Sequence, residues 1–251
     1  MKELITWASS WIGQDMARYL ASKGYDLILV ARRKSNLNNL KKELSTNVKV
    51  IPFDLTEMDN LEQLYNEVRK ENIDVLINNA GFGLMGEFTE TDIDTELKMI
   101  DLNIKAVHYL TKMFLQDFVK RDYGYILNVA SSAAFMAGPK LSTYYATKNY
   151  VCRLTEAIYQ ELKMNNSNVH ISALCPGPVD TEFNKVANAT FHTKSLSSEY
   201  VAKYAIDKMF KNKLIIIPSF QMKLMIFLTR LVPRKLLLRI TYGIQDKKLQ
   251  K

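Results

Sequence analysis

Cysteine and histidine are scarce in this 251-residue chain, and neither forms a pattern that would hold a metal or a cross-link. Cys152 and Cys175 make no CxxC pair and read as reduced, buried thiols, which sets aside a disulfide framework and a structural zinc site. His108, His170 and His192 are far apart without ligand spacing, so no metal role is assigned. Long apolar runs are missing as well. The stretch from Leu214 to Val232 comes nearest, but Pro218, Lys223 and Arg230 interrupt it, so no bilayer span is expected. Met1-Lys2-Glu3-Leu4-Ile5 is too short and too charged a start for a signal peptide, and a cytoplasmic protein is the expectation. There is no low-complexity linker and no internal repeat, which predicts one domain over residues 1–251.

What is present supports a large core: 47% hydrophobic residues against 24% charged. The formal charge of +8 admits an acidic partner, a membrane surface or an anionic cofactor, although much of the excess lies near the C-terminus. The basic and aromatic residues form no nucleic-acid reading motif.

Short β-branched or aliphatic runs alternate with helical patterns. The predicted strands are Glu3–Thr6, Asp26–Ala31, Val48–Pro52, Asp74–Asn78, Tyr125–Val129, Val169–Cys175 and Lys213–Ile217. The predicted helices cover about Ile12–Ser22, Leu37–Leu44, Met58–Arg69, Asp92–Lys120, Ser142–Lys163 and Ser198–Phe210. Gly24 suits a left-handed cap on the first helix. Such alternation predicts a doubly wound parallel α/β sheet of about seven strands, three layers deep, with ligands bound beyond the carboxyl ends of the strands. Phe220–Lys251 reads as a helical, basic appendage broken at Pro233.

Tyr144 and Lys148 stand four residues apart, one helical turn, so an ammonium can sit beside a phenol and favour its phenolate. Thirteen residues before the tyrosine, Asn128-Val129-Ala130-Ser131-Ser132 ends a strand with hydroxyls on the ligand-facing edge. A hydroxyl there can hydrogen-bond a substrate oxygen while the tyrosine moves its proton. A Tyr-x-x-x-Lys pair alone is mostly a surface accident; its place behind this strand gives it weight.

With these residues the chain resembles the short-chain dehydrogenase/reductase family, a Rossmann-like fold, over almost its whole length. Asn78-Asn79-Ala80-Gly81, Asp54-Leu55, Asn103 and Pro176-Gly177-Pro178-Val179-Asp180-Thr181 fall in family order and spacing. The resemblance implies Tyr144 as general acid/base, Ser131 orienting the substrate, Lys148 on the nicotinamide ribose and Asn103 supporting a proton-relay water. Ser132 rivals Ser131, which the thirteen-residue spacing favours, and Tyr145 reads as packing. Asn78 and Asn79 are read as scaffold first and cofactor contact second. Asp54, Asn79, Ala80, Gly81, Pro176, Gly177, Val179 and Thr181 are the further cofactor contacts it implies. A small carbonyl or alcohol substrate and a homodimer or homotetramer are implied with them.

The family's Thr-Gly-x-x-x-Gly-x-Gly turn reads here Thr6-Trp7-Ala8-Ser9-Ser10-Trp11-Ile12-Gly13. Both tryptophans of the chain stand on motif glycines, while Ser9, Ser10, Ile12 and Gly13 remain as cofactor contacts. The first glycine permits the tight turn and the second lets backbone approach pyrophosphate. An indole at 11 would fall where phosphate or adenosine should lie, and at 7 a Cβ would strain a left-handed turn. Both rings could instead turn outward or fill the vacated pocket. Impaired cofactor binding is the expectation, with an empty form in the extreme.

The second strand ends Ala31-Arg32-Arg33 with no acid to receive a ribose 2′-hydroxyl. Arg32 and Arg33 suit a 2′-phosphate, predicting NADP(H) over NAD(H), unless they form only a solvated cluster. Residues Glu182–Leu196, with Phe183, Val186, Phe191 and His192, would close an apolar substrate pocket. The leading expectation is an NADP-linked carbonyl/alcohol oxidoreductase with an obstructed cofactor loop. Its rival is a catalytically inactive scaffold, or a membrane-surface binding protein using the basic tail.

Overall fold

The computed structural model describes residues 1–9, 11–180 and 195–249. Seven parallel strands form one sheet: β1 (Lys2–Thr6), β2 (Asp26–Val30), β3 (Val48–Ile51), β4 (Val75–Asn78), β5 (Gly124–Val129), β6 (Val169–Leu174) and β7 (Ile215–Ile216). Their spatial order is β3-β2-β1-β4-β5-β6-β7, so the winding reverses between β1 and β4. That reversal opens a crevice at the carboxyl ends of those two strands.

Strand side chains alternate between two apolar layers, as burial on both faces requires. Ile5, Leu27, Leu29, Val75, Ile77 and Leu127 pack with Met16 and Leu20 of α1 (Trp11–Ser22) and Ile206 of α7 (Ser198–Met209). Their neighbours Leu4, Ile28, Val30, Leu76 and Ile126 face the opposite way. There they meet Leu61 and Leu64 of α3 (Met58–Val68) and Phe114 of α5 (Val107–Arg121). The remaining helices are α2 (Lys34–Glu43), α4 (Ile93–Ile100), α6 (Ser142–Met164), α8 (Phe220–Thr229) and α9 (Arg234–Leu249). Gly24 ends α1 at φ 82°, the left-handed conformation a β-carbon disfavours.

The long helix expected over Asp92–Lys120 is divided. Between α4 and α5 lies a π-helical segment, Asp101–Ala106, where the chain widens by one residue per turn. The C-terminal appendage divides at Pro233, as its missing N–H and fixed φ require. No helix among the described residues is long and apolar enough to cross a membrane.

One feature of β1 works against stability. Glu3 is fully buried, its two carboxylate oxygens have no hydrogen-bond partner among the described residues, and burial pushes its pKa up to about 8. The folded chain therefore keeps this proton while the unfolded chain, at the ordinary 4.5, releases it. Stability drops as pH rises from 4.5 to 8. Urea unfolding of the wild type and Glu3→Gln should show it: relative to the variant, the wild type loses on the order of 3 kcal/mol between pH 5 and 8. Parallel pH profiles would refute the assignment.

Candidate active site

The crevice is closed at its base by one hydroxyl. Thr6, the last residue of β1, receives the backbone N–H of Asn79 (2.9 Å) and of Ala80 (3.1 Å) on Oγ1 and donates to the Ile77 carbonyl (3.3 Å). The Asn79 amide in turn reaches the carbonyls of Thr6 (3.3 Å) and Trp7 (3.4 Å). β1 and β4 are thereby tied at the point where their loops diverge. Asn78 lies deeper and donates to Asn128 Oδ1 (2.8 Å) and Thr111 Oγ1 (3.0 Å). It is scaffold by contact, while Asn79 faces the loop.

On the far side of the crevice, Ser131 and Tyr144 are hydrogen-bonded through their side chains. Ser131 Oγ also receives the Ala133 N–H (3.1 Å), whereas Ser132 uses its own N–H on the Pro176 carbonyl (2.8 Å). Burial lifts the Tyr144 phenol to about 12, with the Ser131 hydrogen bond pulling the other way. Lys148 is 4% exposed, donates to the Val129 carbonyl (2.9 Å) and lies 5.9 Å from the Tyr144 ring centre. Desolvation lowers its ammonium to about 8.

Asn103 sits inside the π-helical segment, fully buried. Its amide donates to the Phe82 carbonyl (2.9 Å) and Thr147 Oγ1 (3.0 Å) and accepts from the Phe82 N–H (3.1 Å). Gly81 lets the three parts meet, since a β-carbon there would lie 2.9 Å from Lys148 Nζ and 3.0 Å from Asn103 Oδ1. Thr147 and Asn149 were not singled out in the sequence. Asn149 Nδ2 ties the carbonyls of Ala133 (3.1 Å) and Met136 (3.0 Å), fixing the turn after Ser131 onto α6. Their signal is weak: polar residues flanking Lys148 on a helix otherwise packed by its apolar face. Tyr145 packs on Gly138 and accepts from Gln245 (2.6 Å), away from Lys148's partners.

The loop after β1 adopts the shape glycine would permit, but with tryptophan in it. Trp7 has φ 55° and Trp11 φ 49°, both left-handed, at a cost of roughly 1–2 kcal/mol each. Gly13 is held so closely that a β-carbon would meet Asn79 Nδ2 at 2.6 Å and the Trp7 carbonyl at 2.7 Å. The half-buried Trp7 indole packs against the layer containing Leu55 and Ala80, with the Arg32 guanidinium 5.5 Å from its ring centre. Arg32 also faces Asp54 at 3.7 Å. The indole thus lies under the Arg32 guanidinium and against that apolar layer. Trp11 opens α1 half-buried.

Of the other cofactor candidates, Ser9 is buried and gives its carbonyl to Gln14 (3.1 Å), while Ile12 packs under α1's side of the sheet. Arg33 is exposed at the start of α2. Pro176 is buried, Gly177 abuts Met222 of α8, and Val179 bridges in parallel to Leu196. Ser10 and Thr181 lie outside the described residues, as does most of Glu182–Leu196. Cys152 and Cys175 are both buried and unpaired by disulfide.

The sequence model of short chain dehydrogenases matches residues 3–191. An uncharacterized oxidoreductase of Staphylococcus epidermidis is 31% identical over 180 residues, covering 71% of this chain and 77% of its own. A Staphylococcus aureus relative, also an uncharacterized oxidoreductase, is 31% identical over 194 residues, covering 76% of this chain and 83% of its own. Among solved structures, a Sphingobium yanoikuyae short-chain dehydrogenase in complex with NADPH superposes with TM-score 0.81 at 29% identity. It covers 87% of this chain and 88% of its own. The bulky-bulky ketone specific alcohol dehydrogenase of Comamonas testosteroni gives 0.77 at 27%, covering 87% and 86%. A Burkholderia phymatum enzyme in complex with NAD shares the fold at TM-score 0.81 and 21% identity, covering 90% and 91%. The chain belongs to the short-chain dehydrogenase family of oxidoreductases.

Proposed function

We propose that this protein is built for NADP-linked interconversion of a small carbonyl compound and its alcohol, with Ser131, Tyr144, Lys148 and Asn103 as the proton-handling site. The hydrogen bond between Ser131 and Tyr144, beside the buried Lys148, carries this reading. Near neutral pH a phenol lifted to about 12 holds its proton and is ready to give it to a carbonyl oxygen held by Ser131. Giving up that proton leaves a phenolate, which the Lys148 ammonium 5.9 Å from the ring centre favours, and in the opposite direction the phenolate accepts the alcohol proton. Asn103, gripped by Phe82 and Thr147, acts as a positioning residue on the same side.

The two halves of a dinucleotide site differ. Lys148, Tyr144, Asn79 and the Pro176–Gly177 corner suit a nicotinamide ribose, and Arg32 and Arg33 suit a 2′-phosphate. The Trp7 indole, beneath Arg32 and against the layer holding Ala80, does not fit an adenosine in the same ground. A form without turnover is therefore the second reading, favoured by that one contact. Self-association into a dimer or tetramer, and one domain over the whole chain, belong to the first reading.

Calorimetric titration separates the two. NADPH should bind the Trp7→Gly/Trp11→Gly double variant at least about a hundredfold more tightly than the unaltered chain, the worth of relieving a steric clash of about 3 kcal/mol. Equal affinity would overturn the obstruction. In the double variant NADPH should exceed NADH by about tenfold or more; the reverse order would overturn the reading of Arg32 and Arg33. Adding Tyr144→Phe should lower carbonyl reduction by about a hundredfold to ten-thousandfold with NADPH affinity retained. Undiminished reduction would remove Tyr144 from the chemistry.

Lys148 also sets a pH dependence. Its folded pKa near 8 lies below the ordinary 10.5, so between those values the unfolded chain binds more protons and stability rises with pH. Relative to Lys148→Met, the wild type should gain about 3 kcal/mol in urea unfolding from pH 8 to 10.5. A flat difference would mean that the ammonium is solvated.

A further inference from the structure

α8 is apolar over most of its circumference, Gln221 and Lys223 excepted, yet Ile226 is its one buried side chain. Phe220 is 79% exposed, Phe227 56% and Leu231, just beyond the helix, 69%; Leu224, Leu228 and Leu236 of α9 extend the same surface. A helix so largely apolar is ordinarily enclosed, in a core or in lipid. The charges along the chain to either side of it are of one sign as far as Lys208 and Gln245. From Lys208 to Gln245 the chain has eight lysines and arginines and no acidic residue, and Lys223, Arg230, Arg234, Lys235 and Arg239 are all exposed on the two helices.

We propose that α8 and α9 form a docking surface for an anionic lipid bilayer, lying in its interface. Ten residues of α8 reach about 15 Å, half of a hydrocarbon core, and Pro233 prevents the helices from joining. In-plane seating is what this length allows, with the apolar side chains in the acyl boundary and the cations among headgroups. A second copy of the chain fits less well. An isologous pairing would set this patch against itself, bringing Lys223, Arg230, Arg234, Lys235 and Arg239 of one copy towards those of the other. The surface adjoins the catalytic loops, because Met222 of α8 packs on Gly177 and α8 contacts the Ser132–Phe135 turn. It therefore suits a carbonyl or alcohol dissolved in lipid, a substrate class that rests on the oxidoreductase reading above.

Co-sedimentation of the full chain with vesicles tests the docking without any turnover, so failure here leaves that reading untouched. The chain should pellet with phosphatidylglycerol-containing vesicles and stay in solution with pure phosphatidylcholine. Phe227→Glu/Leu231→Glu should abolish pelleting with the thermal melt unchanged, and Arg234→Glu/Lys235→Glu should weaken it about tenfold or more. Equal behaviour toward both vesicles would overturn the proposal. So would a dimer in light scattering that Phe227→Glu/Leu231→Glu dissociates, since a second copy would then be the occupant.

The loop after β1 carries a separate inference. The chain has two tryptophans, both lie within five residues, both are left-handed, and both stand on positions of a glycine motif whose other residues are kept. Two unrelated glycine-to-tryptophan exchanges would each have cost backbone strain in the same loop. One decoding event explains both. UGA differs from the tryptophan codon UGG only in its third base, and as a reassigned codon it can specify tryptophan or glycine. We infer that residues 7 and 11 are encoded by UGA and are inserted as glycine in the cell that carries the gene. Sequencing the two codons and weighing the N-terminal peptide of the protein from that cell tests this. UGA at both, with a peptide lighter by two indolylmethyl groups, is expected; UGG at either codon, or an indole-bearing peptide, overturns it.

Discussion

The shape of the candidate site hangs on how β1 and β4 part company. Two parallel strands that lie side by side but send their loops to opposite faces must leave backbone N–H groups unpaired at the divergence. Thr6 satisfies two of them with a single oxygen and passes its own proton to Ile77. Once that knot is tied, the chain after Thr6 has little freedom. It must turn within a few residues into α1 while Asn79 bridges back to its carbonyls and Gly13 lies against both. The left-handed φ values at 7 and 11 follow from that geometry and not from the residues that occupy them.

The side that carries Ser131, Tyr144 and Lys148 is rigid for a different reason. Asn78, Asn128, Thr111 and Thr155 form a buried hydrogen-bonded set that joins β4 and β5 to α5 and α6. A buried polar set of this kind fixes relative position because breaking any member strands the others. α6 therefore presents Tyr144 and Lys148 at a fixed height above β5, whose last carbonyl holds Lys148. The π-helical segment performs the matching task on the neighbouring helix, turning Asn103 inward to Phe82 and Thr147. The geometry of this side is set mainly by amides and hydroxyls, and Lys148 is held by the Val129 carbonyl.

Most of the sheet was legible in the sequence because parallel strands buried on both faces must be continuous apolar runs, and each of the seven is found within about two residues of its expected limits. The helix break at Asp101–Ala106 was not legible. Asp101-Leu102-Asn103-Ile104-Lys105-Ala106 contains no proline or glycine, and the contacts Asn103 makes from it, to Phe82 and Thr147, lie on other elements. Thr147 and Asn149 are illegible in the sequence for a similar cause: their meaning lies in what they touch on other elements. The tryptophan loop was legible as an anomaly, but which way the indole of Trp7 turned required the position of Arg32.

The basic appendage is not an independent attachment. Gln245 of α9 donates to the Tyr145 hydroxyl, next in sequence to Tyr144, and Lys140 at the entry to α6 pairs with Asp246 and lies 5.0 Å from the Tyr242 ring centre. Lys140 is also held by Glu87 at 3.1 Å, and Gly86 donates to its carbonyl, so the segment before α4 joins the same junction. A load on α9 would thus be felt at the N-terminal end of α6, one residue from the phenol. At the other end of the surface, α8 rests on Gly177 beyond β6. The helices that would meet a bilayer therefore grip both borders of the proposed proton-transfer site, and seating them would restrict the same backbone that carries Ser131 and Tyr144.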